Sequence, residues 1–255
     1  MDSTLLISNF FLCFLRFMGM VMYMPLLSSP NFPAKIKPIV AYFVAIAVFL
    51  NLPMSNYVEI NHDHELLIFG LKEFFVGLII GLNVAMVMEV LSFAGSIVST
   101  PMGLAIATAI DPASGEASTT MGQFNVTLGT LVFLIINGHH VAFEAFMRSY
   151  EVISFGDFAF QAAKIEHFIR IYGELFEVSL RVSMPMLVAL LLVQYSLGVI
   201  VRTMPRLNIF MVGIPIQILL GMVTYVITMP YLVKLIKILF DKSFRELEMV
   251  LKFFQ

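Results

Sequence analysis

The stretch IFMVGIPIQILLGMVTYVITMPYLV, residues Ile209–Val233, decides the fold class, because none of its 25 residues carries a charge. An α-helix of about 20 apolar residues is long enough to cross the hydrocarbon core of a bilayer. A second uncharged run of 20 residues, Val182–Val201, precedes it. Both segments are typical of transmembrane helices, and they predict an all-α, polytopic membrane protein.

The composition of the whole chain supports this prediction. Of 255 residues, 60% are hydrophobic and 13% are charged, whereas an ordinary soluble domain is about 25% charged. The net charge of −2 provides no attraction to a phosphate backbone, so nucleic acid is not an expected partner. The single cysteine excludes a disulfide framework and a cysteine-ligated metal site.

Four further hydrophobic segments bring the expected number to about six, but these are short or interrupted by charges. They are Thr4–Leu27, Ile39–Leu52, Leu66–Leu91 and Phe124–Ile136. The loops near Lys35 and Arg202 are basic, which places them in the cytoplasm by the positive-inside rule. The C-terminal tail is also basic, although strict alternation would place it outside. We therefore expect some segments to form half-spanning, kinked hairpins.

Charged side chains inside these segments need partners. A centrally placed arginine costs roughly 2.5–3.5 kcal/mol to insert into a membrane. Arg16 lies near the middle of the first segment, and Glu73 and Glu89 are the candidate partners for a buried charge network. The alternative is that Arg16 reaches toward the membrane surface.

The segment Ser92–Gln123 has no lysine or arginine and is rich in glycine and proline, yet it contains the apolar stretch Met102–Ile110. Irregular backbone at membrane depth is tolerated only inside protein or beside a water-filled cavity. We expect a re-entrant or plug-like loop over residues 95–123. A hinge between two helices on the aqueous side is the alternative.

Two other patterns each leave alternatives open. The glycines Gly70, Gly77, Gly81 and Gly95 allow helix backbones to approach closely, either within this chain or in an oligomer. The amphipathic segment Asp241–Gln255 is suited to the membrane interface or to packing on a partner.

No pattern indicates catalysis or a cofactor. The chain lacks the H-E-x-x-H, G-x-S-x-G and Walker motifs. The adjacent His139 and His140 point about 100° apart on a helix and do not readily share one ion. No enzyme activity, cofactor or metal site is predicted.

Several strings, in order along nearly the whole chain, resemble the FliR/SctT family of type III export-gate membrane proteins. They are FLCFLRFMGMVMYMPLLSSPNFPAKIKPIVAYFVA from Phe11, AIATAIDPASGEASTTMGQ from Ala105, INGHHVAFEAFMRSY from Ile136 and VRTMPRLNIFMVGIPIQILLG from Val201. The R-x-x-P-x-x-N-x-F-x-x-G-x-P spacing is specific. The GHH string followed by the Ser149-Tyr150 pair favours the flagellar branch over the injectisome branch.

The resemblance implies a core subunit of the flagellar protein export gate in the bacterial inner membrane, within the basal body. Its implied partners are FliP-like and FliQ-like membrane subunits, FlhB-like and FlhA-like export proteins, and unfolded flagellar substrates. Residues 1–200 would form a FliP-like part, and residues 201–255 a FliQ-like terminal hairpin with an amphipathic tail.

Two sites follow from the same resemblance. Leu104–Gly122 would carry the loop that plugs the export channel, and the basic turn Arg202–Asn208, between the fifth and sixth segments, would form the cytoplasmic tip of the terminal hairpin. The candidate plug residues are Met102, Leu104, Ile106, Ile110, Asp111, Pro112 and Gly115. The candidate tip residues are Arg202, Pro205, Arg206 and Asn208.

Two other functions remain open from the residues alone. Broken helices and charges at membrane depth are also typical of a stand-alone secondary transporter of a small solute. Such a transporter predicts an inverted repeat between its halves, and no such repeat is detectable in the sequence. The injectisome counterpart of the gate subunit is the second alternative.

Overall fold

The computed structural model describes residues 3–28, 32–53, 57–60, 62–104, 119–158, 162–203 and 209–253. These ranges contain helices and connecting turns but no strand, which confirms the all-α prediction. The helices are α1 (Ser3–Tyr23), α2 (Ile36–Phe49), α3 (Asp63–Ser99), α4 (Thr120–Ile135), α5 (Gly138–Val152), α6 (Ala162–Thr203) and α7 (Ile209–Phe253).

Four of these helices, α1, α3, α6 and α7, are long and apolar enough to cross a membrane. Helices α4 and α5 form a fifth candidate as a pair, bent by 71° at the break between them. Each of the six predicted hydrophobic segments overlaps one of the helices, although the first, second and fourth end slightly beyond it. The expected plug-like loop is shorter than predicted, because α3 continues through Gly95 to Ser99 and α4 begins at Thr120.

The chain divides into two compact units. Unit 1 comprises Met1–Val87, Phe133–Ile171 and Phe240–Gln255, and unit 2 comprises Met88–Val132 and Tyr172–Leu239. These boundaries differ from the division at residue 200 that the resemblance implied. That division describes which parts of the chain are FliP-like and FliQ-like, and it stays a prediction.

In unit 1, helices α1 and α3 are in backbone contact. A Cβ atom at Gly77 would overlap the carbonyl group of Arg16, and one at Gly19 would overlap the carbonyl oxygen of Phe74. At Gly81 an added Cβ would lie 2.5 Å from the carbonyl oxygen of Met20. The α3 glycines at these positions therefore serve packing within the chain.

The corner between α4 and α5 is set by local backbone chemistry. Asn137 has a left-handed conformation (φ 55°), which asparagine tolerates better than most residues. The next residue, Gly138, is packed against the ring of Phe133, where a Cβ would overlap ring carbons. The Asn-Gly pair thus ends α4 and starts α5 in a new direction.

The last part of α7 packs within unit 1. Asn83 Nδ2 donates to the carbonyl oxygen of Ser243 (2.9 Å), and Ser243 Oγ donates to the carbonyl oxygen of Asn83 (3.1 Å). The rings of Phe240 and Phe133 lie 5.2 Å apart. The buried face of this segment therefore packs inside the chain. The expected alternatives, the membrane interface and a partner, do not describe that face.

In unit 2, buried polar groups join four helices. Asn125 of α4 donates from Nδ2 to the carbonyl oxygen of Leu91 on α3 (3.0 Å), and its Oδ1 accepts the hydroxyl proton of Tyr225 on α7. Ser183 of α6 donates to the carbonyl oxygen of Ala94 (3.2 Å). Each of these hydrogen bonds connects two helices, which fixes their register.

We predict that Gly77→Ala strongly destabilises the protein, because the added methyl group would collide with the backbone of α1. The measurement is the melting temperature of the purified chain in detergent. Gly198→Ala is the matched control: it also lies within a helix, but an added Cβ meets nothing within 4 Å. The control should be neutral or up to about 1 kcal/mol stabilising through helix propensity. Equal melting temperatures for the two variants would contradict the close packing of α1 and α3.

Candidate functional site

Arg16 is the centre of a polar cluster in unit 1, and its side chain is fully buried. Its Nε donates to Glu73 Oε2 of α3 (2.5 Å) and its Nη1 donates to Ser149 Oγ of α5 (3.1 Å). Its Nη2 donates to the carbonyl oxygen of Ile153, just after α5 (3.1 Å). One guanidinium group therefore connects α1 with α3, α5 and the loop that follows α5.

The second oxygen of the Glu73 carboxylate also accepts a hydrogen bond. Glu73 Oε1 accepts the backbone N–H of Gly156 (3.0 Å), while Lys72 Nζ donates to the carbonyl oxygen of the same residue (2.8 Å). Gly156 has φ +80°, a conformation that favours glycine. Two adjacent side chains of α3 thus hold one glycine of the loop by both its N–H and C=O groups.

Aromatic rings enclose the guanidinium group. The Arg16 Cζ lies 4.0 Å from the ring centroid of Tyr150 and 5.7 Å from that of Phe155, within cation–π range. The Tyr150 hydroxyl in turn donates to Cys13 Sγ (3.3 Å). The Ser149-Tyr150 pair noted in the sequence therefore contacts Arg16 through both of its side chains. Sequence reasoning missed this role, although it singled out the pair.

The structure brings Arg16 and Glu73 together but does not include Glu89 among the buried charges. Glu89 is exposed on α3. It follows Glu73 by 16 residues, which at about 100° per residue is roughly 160° around the helix. The two carboxylates therefore leave α3 on nearly opposite faces, and the expectation for Glu89 was wrong in this respect.

The candidate plug residues divide into two groups. Met102 and Leu104 are described and lie in a turn that closes α3, whereas Ile106, Ile110, Asp111, Pro112 and Gly115 lie outside the described residues. Met102 is fully buried in a cluster of unit 2 and Leu104 packs against the same cluster. The start of the predicted plug is therefore part of a packed core.

The turn that ends α3 has the hydrogen bonds of a Schellman motif. The Leu104 N–H donates to the carbonyl oxygen of Ser99 (3.2 Å), and the Gly103 N–H donates to that of Thr100 (3.0 Å). Gly103 has φ +80°, as the motif requires. Pro101 and Gly103, which break the pattern in the sequence, thus terminate the helix in a defined geometry.

Of the candidate hairpin-tip residues, only Arg202 is described. It lies in the last turn of α6 and is exposed. Pro205, Arg206 and Asn208 lie outside the described residues. The role of these residues as a hairpin tip stays a prediction.

Within the described ranges, no group of three or more histidine, cysteine, aspartate or glutamate side chains is arranged to hold a metal ion. The rings of His139 and His140 lie 4.3 Å apart at the start of α5. The clusters at Arg16 and Met102 are instead packing arrangements that hold segments in place.

Long apolar helices and a buried ion pair define a polytopic helical membrane protein. The chain matches the family described as bacterial export proteins, family 1, over residues 7–243. It therefore belongs to this family of bacterial export membrane proteins.

Similar proteins point to the same family. The chain is 32% identical to the flagellar biosynthetic protein FliR of Bacillus subtilis over 240 residues, which is 91% of this chain and 90% of that protein. It is 24% identical to FliR of Escherichia coli over 90% of this chain and 87% of the relative. The surface presentation of antigens protein SpaR of Shigella sonnei is 25% identical over 82% of this chain and 80% of that protein.

We predict that Arg16→Ala destabilises the protein by about 3–5 kcal/mol, because it leaves the Glu73 carboxylate buried without its charge partner. Replacing both residues with apolar ones, Arg16→Met with Glu73→Leu, should restore part of that loss. Thermal unfolding in detergent measures both effects.

The control for this prediction is the ion pair of Arg148 with Glu144, in which both side chains are more than half exposed. Arg148→Ala should change stability by less than about 1 kcal/mol. A loss as large as that of Arg16→Ala would mean that the burial of the Arg16 pair is not what makes it important.

Proposed function

We propose that this protein is a core subunit of the flagellar type III protein export gate. The observation that carries the proposal is the family match over residues 7–243, together with the likeness to FliR proteins over about nine-tenths of the chain. The SpaR relative supports the injectisome counterpart as a second candidate. The flagellar function is favoured, since identity and coverage are both higher for the Bacillus subtilis FliR.

In this role the segment Leu104–Gly122 would close the channel until an unfolded flagellar substrate displaces it. The matching motif of Asp111, Pro112 and Gly115 supports this proposal from the sequence. The turn that includes Arg202, Pro205, Arg206 and Asn208 would form the cytoplasmic tip, near an FlhB-like protein.

The proposed setting is the bacterial inner membrane, within the flagellar basal body and together with FliP-like, FliQ-like and FlhA-like proteins. The exposed surfaces of the helices support an assembly. The apolar windows of α6 and α7 are only 22% and 17% buried inside the chain, compared with 61% for α3. Lipid or neighbouring apolar helices must cover so much apolar surface.

Deletion of Ala109–Ser118 tests the plug. We predict that the assembled gate then leaks ions, because the deletion removes the motif proposed to close the channel. The measurement is the loss of an imposed potassium gradient in vesicles that contain the purified gate complex. Replacement of the same ten residues by a glycine–serine linker of equal length separates the loss of the side chains from a shortened connection. Wild-type leakage in both variants, with the complex intact, would contradict the plug.

Purification in mild detergent tests the proposed assembly. We predict that a tagged form of the chain recovers FliP-like and FliQ-like subunits in stable stoichiometry, since α6 and α7 expose apolar faces that such helices would cover. Arg16→Ala should lower the recovery of this complex. A monomer that binds a small solute would instead support the transporter alternative.

A further inference from the structure

We infer that Pro101–Leu104 is a fixed anchor for the start of the plug segment, and that Met102 is the residue that positions it. The inference rests on the proposed plug function. Sequence reasoning placed Met102 within the apolar plug itself. The structure instead buries it completely within unit 2, where it cannot also present a surface to a channel.

Met102 fits into a seat built by residues of three helices. The seat is lined by Val98 of α3, Met186 and Leu190 of α6, and Tyr225 of α7. Gly221 of α7 also borders it, since an added Cβ there would lie 2.7 Å from Met102 Cγ and 2.8 Å from Cε. The absence of a side chain at Gly221 therefore leaves the space that the end of the methionine occupies.

One side-chain hydrogen bond also holds this turn from outside the seat. Gln194 of α6 donates from Nε2 to the carbonyl oxygen of Pro101 (3.2 Å). The side chain of Gln217 on α7 lies beside Gly103, with its Oε1 3.5 Å from the position of an added Cβ. The Schellman hydrogen bonds fix the backbone of the turn, and the seat fixes its side chains.

These contacts determine where displacement can begin. Moving Met102 would empty a seat in a packed interior and lose its contacts with α6 and α7, which is costly. Displacement of the plug would therefore begin after Leu104, with its base held in register by Met102. An unanchored plug would close the channel less completely even if its own residues were unchanged.

The experiment uses the complete gate complex in vesicles with a potassium gradient. Met102→Ala should raise ion leakage several-fold while the recovered complex keeps its subunit composition. Met88→Ala is the matched control, because Met88 is a buried methionine on α3 in the same unit but outside the seat. The control should leak at the wild-type level, and equal leakage from both variants would overturn the anchor.

A volume exchange distinguishes anchoring from simple packing. Met102→Ala removes three heavy atoms from the seat, and Gly221→Val restores three from the α7 side. If Met102 anchors the plug, the double variant should recover thermal stability and still leak. Wild-type leakage in the double variant would show that filling the seat is sufficient, and the anchor would be wrong.

Gln194→Ala provides a test that leaves the seat filled. It removes the hydrogen bond to Pro101 and should give a smaller increase in leakage than Met102→Ala. If Met102→Ala prevents assembly of the complex, leakage from the double variant and from Gln194→Ala tests the anchor instead. Wild-type leakage in both would overturn the anchor.

The Ala109–Ser118 deletion, measured in parallel, separates the two proposals. If the deletion leaks and the anchor variants do not, only the anchor is wrong. If the deletion does not leak, the plug function itself is wrong.

Discussion

The burial of one arginine is the constraint on which unit 1 depends. A guanidinium group without exposed surface needs a charge partner and hydrogen-bond acceptors around its whole edge. Glu73 supplies the charge, and Gly77, one turn later on α3, lets that helix approach the carbonyl group of Arg16 itself. The backbone contact and the ion pair are therefore mutually dependent. The loop after α5 completes the arrangement through the Ile153 carbonyl group and the Gly156 peptide.

The sequence predicts those features that depend on local pattern. The lengths of the hydrophobic segments predicted the helices, and the cost of burying a charge pointed to Arg16 and to Glu73 as one of its two candidate partners. Composition could not separate Glu73 from Glu89, because that choice depends on the phase of α3 relative to α1. The acceptor groups of Ser149 and Ile153 were equally inaccessible, since they come from residues more than 130 positions away. The rotation of α3 about its axis therefore determines which of its two carboxylates is buried against Arg16.

The two ends of the expected plug loop show a related limit. The glycine and proline pattern predicted irregular backbone over residues 95–123, yet Gly95 lies inside α3, where an added Cβ would overlap the carbonyl oxygen of Met121. A glycine required for close approach and a glycine required for a turn look the same in a sequence. At Gly103, where φ is +80° and the Schellman hydrogen bonds close α3, the glycine acts as a helix stop.

The same distinction applies to methionine and to the C-terminal segment. An apolar residue beside a predicted channel and an apolar residue in a seat have identical chemistry, so Met102 could not be assigned from its type. The segment after Asp241 has the amphipathic pattern of an interfacial helix, but the reciprocal hydrogen bonds between Asn83 and Ser243 use backbone carbonyl groups, which leave no periodic signal. The last part of α7, residues 240–253, packs within unit 1, whereas only 22% and 17% of the apolar windows of α6 and α7 are buried inside the chain.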